Sequence, residues 1–349
     1  MIKSNASGSL RRLVSVIVPV RNAETYLPRS LTQLATLDRS ACDYEFIVID
    51  DHSTDSTWSM LQDWPAALEK VVVTAAAETG VASARNQALS LATGEFVWFA
   101  DADDDWDPRI VTLMLAAALE TSADLVVSNA VKQTPDGADV GSINDATTAE
   151  TSDGPEAFTR LLEGRVQGHL WNKLFRTSTL PSAPFPATRA HSDLGGIIRT
   201  LPVVGRVSYL PVTLYTYLQN PGSILNSSSY DYRDLLSCLD LVDAIVDTNL
   251  TDPRRRAGYL IFKYRTVLVT ITNELARRKD RLGEVERKAA LAAVRGRVNL
   301  LEVLSLLAHS PSLTTTLTAA QASVIRTIPR GYERAYIAAR LRHTVAVEK

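Results

Sequence analysis

The sequence predicts an α/β protein in which a mostly parallel sheet flanked by helices is followed by an all-helical C-terminal region. Short apolar runs alternate with amphipathic stretches of helix length between residues 13 and 129, the pattern of buried strands joined by crossover helices. Two of these runs lead straight into clusters of aspartate. From Tyr230 onward the periodicity is helical throughout.

Leu13–Val20 (LVSVIVPV) reads as a buried strand, and Ala23–Leu37 as a helix with Leu27, Leu31 and Leu34 on one face. Tyr44–Asp50 is a second strand, a helix begins at Thr54–Leu61, and Lys70–Thr74 (KVVVT) is a third strand. Gly80 opens a helix over Val81–Leu91, and Glu95–Ala100 (EFVWFA) is a strand that ends directly at Asp101. A helix over Pro108–Ser122 and a strand over Asp124–Asn129 follow. The Thr-, Asp- and Gly-rich stretch from Gln133 to Gly154 reads as a surface excursion. Beyond it the pattern gives a helix at Pro155–Leu162, a strand or short helix at Leu170–Phe175, a helix at Asp193–Leu201 and strand at Arg206–Tyr217, closed by Pro221-Gly222. Amphipathic helices are predicted at Leu235–Val246, Gly258–Leu275 and Val294–Ala308, with a domain change near residue 230: a body over 1–230 and a helical domain over 231–349.

The chain has 349 residues, 46% hydrophobic and 22% charged, enough for a sizeable core, which excludes a disordered or fibrous protein. Two cysteines, Cys42 and Cys238, cannot organise a disulfide framework or a cysteine zinc site and fit a reducing compartment. No apolar run has the length of a signal peptide or a membrane span, so a cytoplasmic chain is expected. Charge is unevenly spread. Residues 1–250 hold 18 Lys and Arg against 31 Asp and Glu, whereas 251–349 hold 19 against 8. Either the two regions have different partners, an acidic body suited to metal and a basic tail suited to phosphate or an anionic membrane, or they attract one another within one fold.

Open parallel sheets bind ligands at the carboxyl ends of their strands, which is where the acids fall. The second strand runs into Asp50-Asp51-His52-Ser53-Thr54-Asp55, the later one into Asp101-Ala102-Asp103-Asp104-Asp105-Trp106. Ser53, Thr54 or Asp55 could serve as a helix cap. Four carboxylates among the five residues 101–105 exceed what a cap requires, and their mutual repulsion is relieved by a hard divalent cation.

VSVIVPVRNAETYL at 14–27, FIVIDDHSTDST at 46–57, GVASARNQAL at 80–89 and GEFVWFADADDDWDP at 94–108 resemble, in order and spacing, the family 2 glycosyltransferases of the GT-A fold, a Rossmann-like mixed sheet flanked by helices. The likeness is close over residues 14 to about 130 and looser to about 225, through HLWNKLFR at 169–176, which is similar to the family's W-x-K-L-[YF]-R segment. It implies a nucleotide-diphosphate sugar donor, a UDP-sugar being expected, a Mn²⁺ or Mg²⁺ ion, and inversion at the anomeric carbon, with hexosyl or N-acetylhexosaminyl transfer. By this resemblance Pro19, Arg21, Asp50, Asp51, Arg85, Asp101 and Ala102 surround the donor. Asp51 matches the acid on the base, Asp50 a buried neighbour that shapes the turn, Arg85 and Asn86 a motif beside the nucleotide, Asp101 the acid on the ribose, and Asp103 the metal ligand. Where the family commonly has an aromatic residue before Asn, this chain has Arg21, whose guanidinium can also stack on a base.

Inversion by direct displacement needs a base for the acceptor's proton. The family supplies a carboxylate, usually in a Glu-Asp pair at a helix start; the matching segment here reads His191-Ser192-Asp193-Leu194 and makes Asp193 the candidate, with Ser192 or Asp193 as helix cap the alternative. His191 could be a second proton carrier. Trp171 lines an acceptor pocket or fills core, and Trp106 anchors the metal loop.

The tail gathers positive charge in Arg254–Arg256, Arg277-Arg278-Lys279 and Arg326, Arg330 and Arg334. It suits a glycan, lipid-linked or glycopolymer acceptor, peripheral contact with an anionic membrane, or packing into a homo-oligomer; no nucleic-acid motif accompanies it. The function expected is sugar transfer in surface polysaccharide synthesis. The rival readings are a non-catalytic nucleotide-sugar-binding or scaffold subunit, and sugar-phosphate nucleotidyl transfer, the latter disfavoured by the lack of a Gly-rich, Lys-bearing loop near the N-terminus.

Overall fold

A computed structural model describes residues 11–64, 71–144, 146–219, 231–246, 252–279, 282–309 and 312–347. Two compact units divide the chain, Met1–Phe158 with Gln167–Ser227 and Thr159–Val166 with Ser228–Lys349. The change expected near residue 230, like the turn at Pro221-Gly222, lies outside the described residues.

The first unit contains β1 (Arg12–Val20), α1 (Leu27–Ala35), β2 (Cys42–Asp50), α2 (Thr57–Asp63), β3 (Val71–Ala75), α3 (Val81–Leu91), β4 (Phe96–Phe99), β5 (Asp105–Trp106), α4 (Ile110–Thr121), β6 (Leu125–Gln133), β7 (Asp139–Ile143), β8 (Glu150–Asp153), α5 (Gly154–Leu162, which passes into the second unit), β9 (Lys173–Arg176), α6 (Ser192–Thr200) and β10 (Arg206–Leu218). They make one sheet in the order β3-β2-β1-β4-β9-β6-β10-β5, with β7 on β6 and β8 on β10. Strands β3, β2, β1 and β4 are parallel, β9 is antiparallel to both of its neighbours, and β10 is parallel to β6.

The apolar runs are central strands because both their faces are covered. Val14, Val16 and Val18 join Phe46, Trp98, Leu27, Leu31 and Leu34 of α1 and Met114 and Leu115 of α4 in one core. Ile17, pleated to the other side, is equally buried. All four parallel strands therefore deliver their carboxyl ends, and the residues after them, to one edge.

Two expectations are corrected and one is narrowed. The stretch after Gln133 is not loop throughout: it pairs β7 and β8 onto the sheet while remaining largely exposed, and Asn129 fixes its return by donating to the Ala146 carbonyl (2.9 Å) and accepting from its N–H (3.0 Å). Leu170–Phe175 yields strand from Lys173 on. The helix expected over Val294–Ala308 is broken at Val298-Asn299, where Asn299 Oδ1 accepts the N–H of Leu301 (2.9 Å) and starts a new helix.

The second unit is helical: α7 (Tyr232–Ile245), α8 (Pro253–Ile261), a π-helical segment Phe262–Val269, α9 (Thr270–Arg277), α10 (Glu284–Arg297), α11 (Leu300–His309), α12 (Leu313–Thr327) and α13 (Pro329–Val347). Part of its basic charge is internally neutralised. Arg254 forms a bidentate pair with Glu163 (2.7 and 3.0 Å), and the buried Arg278 pairs with Glu274 (3.3 Å). Arg330 and Arg334 are exposed. Both cysteines are buried and neither is in a disulfide, and among the described residues no helix is long and apolar enough to cross a membrane.

Candidate active site

The loop after β1 and the loop after β2 are tied together. Asn22, in a left-handed conformation (φ 48°), accepts the Thr54 N–H (2.8 Å) and donates its own N–H to Ser53 Oγ (2.9 Å). Ser53 and Thr54 therefore bridge loops instead of capping α2, whereas Asp55 does accept the first-turn N–H of Thr57 (3.0 Å). Asp50 is buried, its Oδ2 accepting the Ser53 N–H (3.1 Å). Asp51 is buried, with Oδ1 accepting the Gly80 N–H (2.7 Å) and Oδ2 lying 3.6 Å from Arg21 Nη1. Gly80 is required there because its φ of 121° is a conformation side-chain-bearing residues avoid. Pro19 is half-buried on β1, and Ala102 is buried.

Arg85 on α3 reaches across to the acid turn, where Nη2 donates to Asp101 Oδ1 (2.9 Å). Arg85 is 7% exposed, and its Nε makes no hydrogen bond. The acids of the turn divide their work. Asp104, fully buried, accepts from the Tyr215 hydroxyl (2.9 Å) and from the Leu218 N–H (2.9 Å). Burial, together with Asp103 and Asp101, pushes its carboxyl well above the usual range. Asp105 accepts from Gln33 (2.9 Å), and the Asp103 carbonyl takes Arg29 Nη2 (2.9 Å), so α1 clasps the outside of the turn. Trp106 is buried edge-on against Trp98 (5.3 Å), the anchor expected of it.

Asp193 stands in the first turn of α6 and keeps 31% of its side chain exposed. Neither it nor Ser192 caps that helix; the N-cap is His191 at φ 59°, without a side-chain cap bond. Burial alone would raise the Asp193 carboxyl, but His169, then Arg85 and His191, hold it well below the usual range. His169 Nδ1 lies 3.8 Å from Asp193 Oδ2, an ion-pair rather than a hydrogen-bond distance. Asn86 closes this side by exchanging two hydrogen bonds with the backbone of Phe185 (2.8 and 3.1 Å) ahead of α6.

Trp171 does not offer a face to solvent. It is core, 3% exposed, stacked between His169 and Tyr215. Lys173 is fully buried and donates to the carbonyls of Gln167 (2.8 Å) and His169 (2.6 Å) and to Asn172 Oδ1 (2.9 Å). Burial pushes its ammonium down to about 7, Asp193 pulling the other way. His169, Tyr215 and Asp104 were not singled out by sequence. His169 precedes the Trp171-Asn172-Lys173 motif and could have been flagged by that position, but nothing local marks Tyr215.

Among the described residues no group of three or more His, Cys, Asp or Glu is arranged to hold a metal unaided. A hard divalent cation that completes its shell with phosphate oxygens needs few protein carboxylates, and the acid turn supplies that kind of donor.

The sheet order, the antiparallel β9 and the acid turn define a GT-A fold, and residues 15–169 match the family model "Glycosyl transferase family 2". The residues matched include the whole acid turn. The chain is 30% identical over 220 residues to the Bacillus subtilis protein described as "Putative glycosyltransferase EpsH", a match over 61% of this chain and 62% of that protein. It is 41% identical over 91 residues, 26% of this chain and 16% of the relative, to the Staphylococcus aureus poly(ribitol-phosphate) beta-N-acetylglucosaminyltransferase TarS. The crystal structure of S. aureus TarS 1–349 in complex with UDP-GlcNAc superposes with a TM-score of 0.70 at 21% identity, over 94% of this chain and 91% of that one. This chain thus spans less than two thirds of the length of these curated relatives.

Proposed function

We propose that this protein is an inverting, metal-dependent glycosyltransferase that moves a sugar from a UDP-sugar to a hydroxyl of a cell-surface glycopolymer or its lipid-linked precursor. The observation that carries this reading is the meeting of Arg85 with Asp101, with Asp193 in the field of the same guanidinium. One buried cation thereby links the acid expected on the ribose to the expected base.

In this reading Asp51, with Arg21 alongside, receives the base, and Pro19, Asp50 and Ala102 shape its pocket. Asp101 receives the ribose, oriented by Arg85. Asp103 holds a Mn²⁺ or Mg²⁺ ion. An ion held there would supply positive charge to offset that of the departing nucleoside diphosphate. Asp193 accepts the proton of the acceptor hydroxyl as the new bond forms opposite the departing group. The low range in which its neighbours hold it keeps it ionised, the form that takes up a proton, while weakening it as a base. Residues 1–230 form the catalytic domain and 231–349 a helical domain whose excess positive charge draws an anionic acceptor or leaflet. The relatives support this acceptor and donor: the TarS name specifies poly(ribitol-phosphate), and TarS is crystallised with UDP-GlcNAc.

Two measurements test it. Calorimetric titration with UDP, GDP and dTDP, each with and without Mn²⁺, should give metal-dependent binding of UDP; no binding under any condition sinks the proposal. Asp193→Asn should abolish transfer while leaving UDP affinity unchanged. A variant that transfers sugar normally removes Asp193 as the base, and a wild type that binds UDP but transfers nothing favours the scaffold.

A further inference from the structure

A column of parallel rings runs through the first unit. His169 stacks on Trp171 with ring centres 4.7 Å apart and planes 16° apart, and Trp171 on Tyr215 at 4.3 Å and 10°. Tyr215 continues onto Trp106 at 6.2 Å and 23°. Both ends of the column reach the candidate acids. At one end the Tyr215 hydroxyl accepts the Asp101 N–H (3.3 Å) and donates to Asp104 (2.9 Å). At the other, His169 lies 3.8 Å from Asp193. The backbone that carries each ring is held independently: Lys173 donates to the His169 carbonyl, the Trp171 carbonyl accepts from Trp98 Nε1 (2.7 Å), and Tyr215 belongs to β10.

We propose that Tyr215, Trp171 and His169 form a strut that sets the separation between the acid turn at Asp101–Asp104 and the carboxylate of Asp193. They are positioning residues and touch neither donor nor acceptor. The inference rests on the glycosyl-transfer reading above, in which the turn carries the donor and Asp193 the acceptor's proton. Direct displacement demands that spacing, because reacting atoms must meet at about 3–3.5 Å and a misplacement of about 1 Å costs on the order of 100-fold. A buried tyrosine hydroxyl needs a partner in any case; what is particular here is that the partners of the stack belong to the acid turn on one side and are Asp193 on the other. Planar rings also resist shear better than aliphatic chains, having few torsions and a preferred offset geometry.

The test compares Trp171→Leu with Trp171→Phe in the full chain, measuring both sugar transfer and UDP affinity in Mn²⁺. Trp171→Leu should lower kcat by about tenfold or more while UDP affinity stays within about twofold. Trp171→Phe, which keeps a ring between His169 and Tyr215, should retain most of the wild-type kcat. Wild-type kcat in Trp171→Leu, or equal losses in the two variants, overturns the strut. Should Trp171→Leu fail to fold, His169→Gln at the half-exposed end decides: the strut requires a similar loss of kcat at unchanged UDP affinity, and wild-type kcat overturns it. The wild-type control separates the two readings. A wild type that neither binds UDP nor transfers sugar sinks the proposed function and the strut with it, whereas transfer that survives Trp171→Leu sinks the strut alone.

Discussion

Gly168 lies against Leu194 so closely that a Cβ built on it would stand 2.6 Å from Leu194 Cδ1 and 3.0 Å from Leu194 Cα. Neighbouring residues on the two segments are His169 and Asp193, so the missing side chain of Gly168 is what allows these two to meet. The main-chain atom makes the contact hard to relieve by a rotamer change.

Gly168→Ala is therefore expected to push the start of α6 away from His169. Overpacking of this kind costs about 1–3 kcal/mol, so the melting temperature should fall by several degrees. The diagnostic result is a larger loss in kcat than in UDP affinity; equal losses would mean general destabilisation.

Arg85 is the cation that Asp101 and Asp193 share. Arg85→Met keeps most of the buried stem but removes a charge-assisted hydrogen bond from Asp101. Such bonds contribute about 1.5–3 kcal/mol, or roughly 10- to 150-fold, so UDP affinity should weaken by about that factor in a calorimetric titration. Unchanged affinity would show that Asp101 needs no orienting partner.

Asp103→Asn removes the carboxylate proposed to hold the cation. Calorimetry should show UDP binding that no longer responds to Mn²⁺, at a level matching the wild type in chelator. Residual Mn²⁺ stimulation would assign the metal to another acid of the turn. Asp104 is the poorest alternative, since both its oxygens are engaged inside the fold.

Lys173 makes stability depend on pH in a direction set by its burial. Its ammonium loses its proton near 7 in the folded chain against the ordinary 10.5, so between these values the folded state binds fewer protons than the unfolded one. Stability then rises with pH across that interval, and the cost of burying the charge is present in full below it. Chemical denaturation at about pH 6.5 and 9.5 should show wild type gaining at least about 1 kcal/mol relative to Lys173→Met. A difference that stays constant with pH would mean that Lys173 remains charged throughout. The loss of its three hydrogen bonds should make Lys173→Met the less stable protein at the alkaline end.

Much of the fold could be read from the sequence because its signals are local. The run VSVIVPV has no polar face to offer solvent, Leu27, Leu31 and Leu34 recur at helical spacing, and Asp50 and Asp101 stand at the ends of apolar runs. β7 and β8 were missed because exposed edge strands carry no apolar alternation, and Val294–Ala308 was read as one helix because Asn299, which breaks it, does so through a single side-chain bond.

What the sequence by itself determined is the order of the central parallel strands and their helices, the delivery of two acidic clusters to one edge of a parallel sheet, and the likeness of residues 15–169 to the family 2 glycosyltransferases. Only the tertiary structure decided which aspartate does what. Asp101, Asp103, Asp104 and Asp105 are nearly indistinguishable as a string, yet Asp104 is claimed by a tyrosine 111 residues away, Asp101 by an arginine on another helix, and Asp105 by a glutamine on α1. Likewise Trp171 became core, and His169 the neighbour of Asp193, through contacts that no spacing encodes. Periodicity records which face of an element is buried, whereas the duty of a polar group depends on the partner that burial places opposite it. That partner is chosen by the packing of segments far apart in the chain.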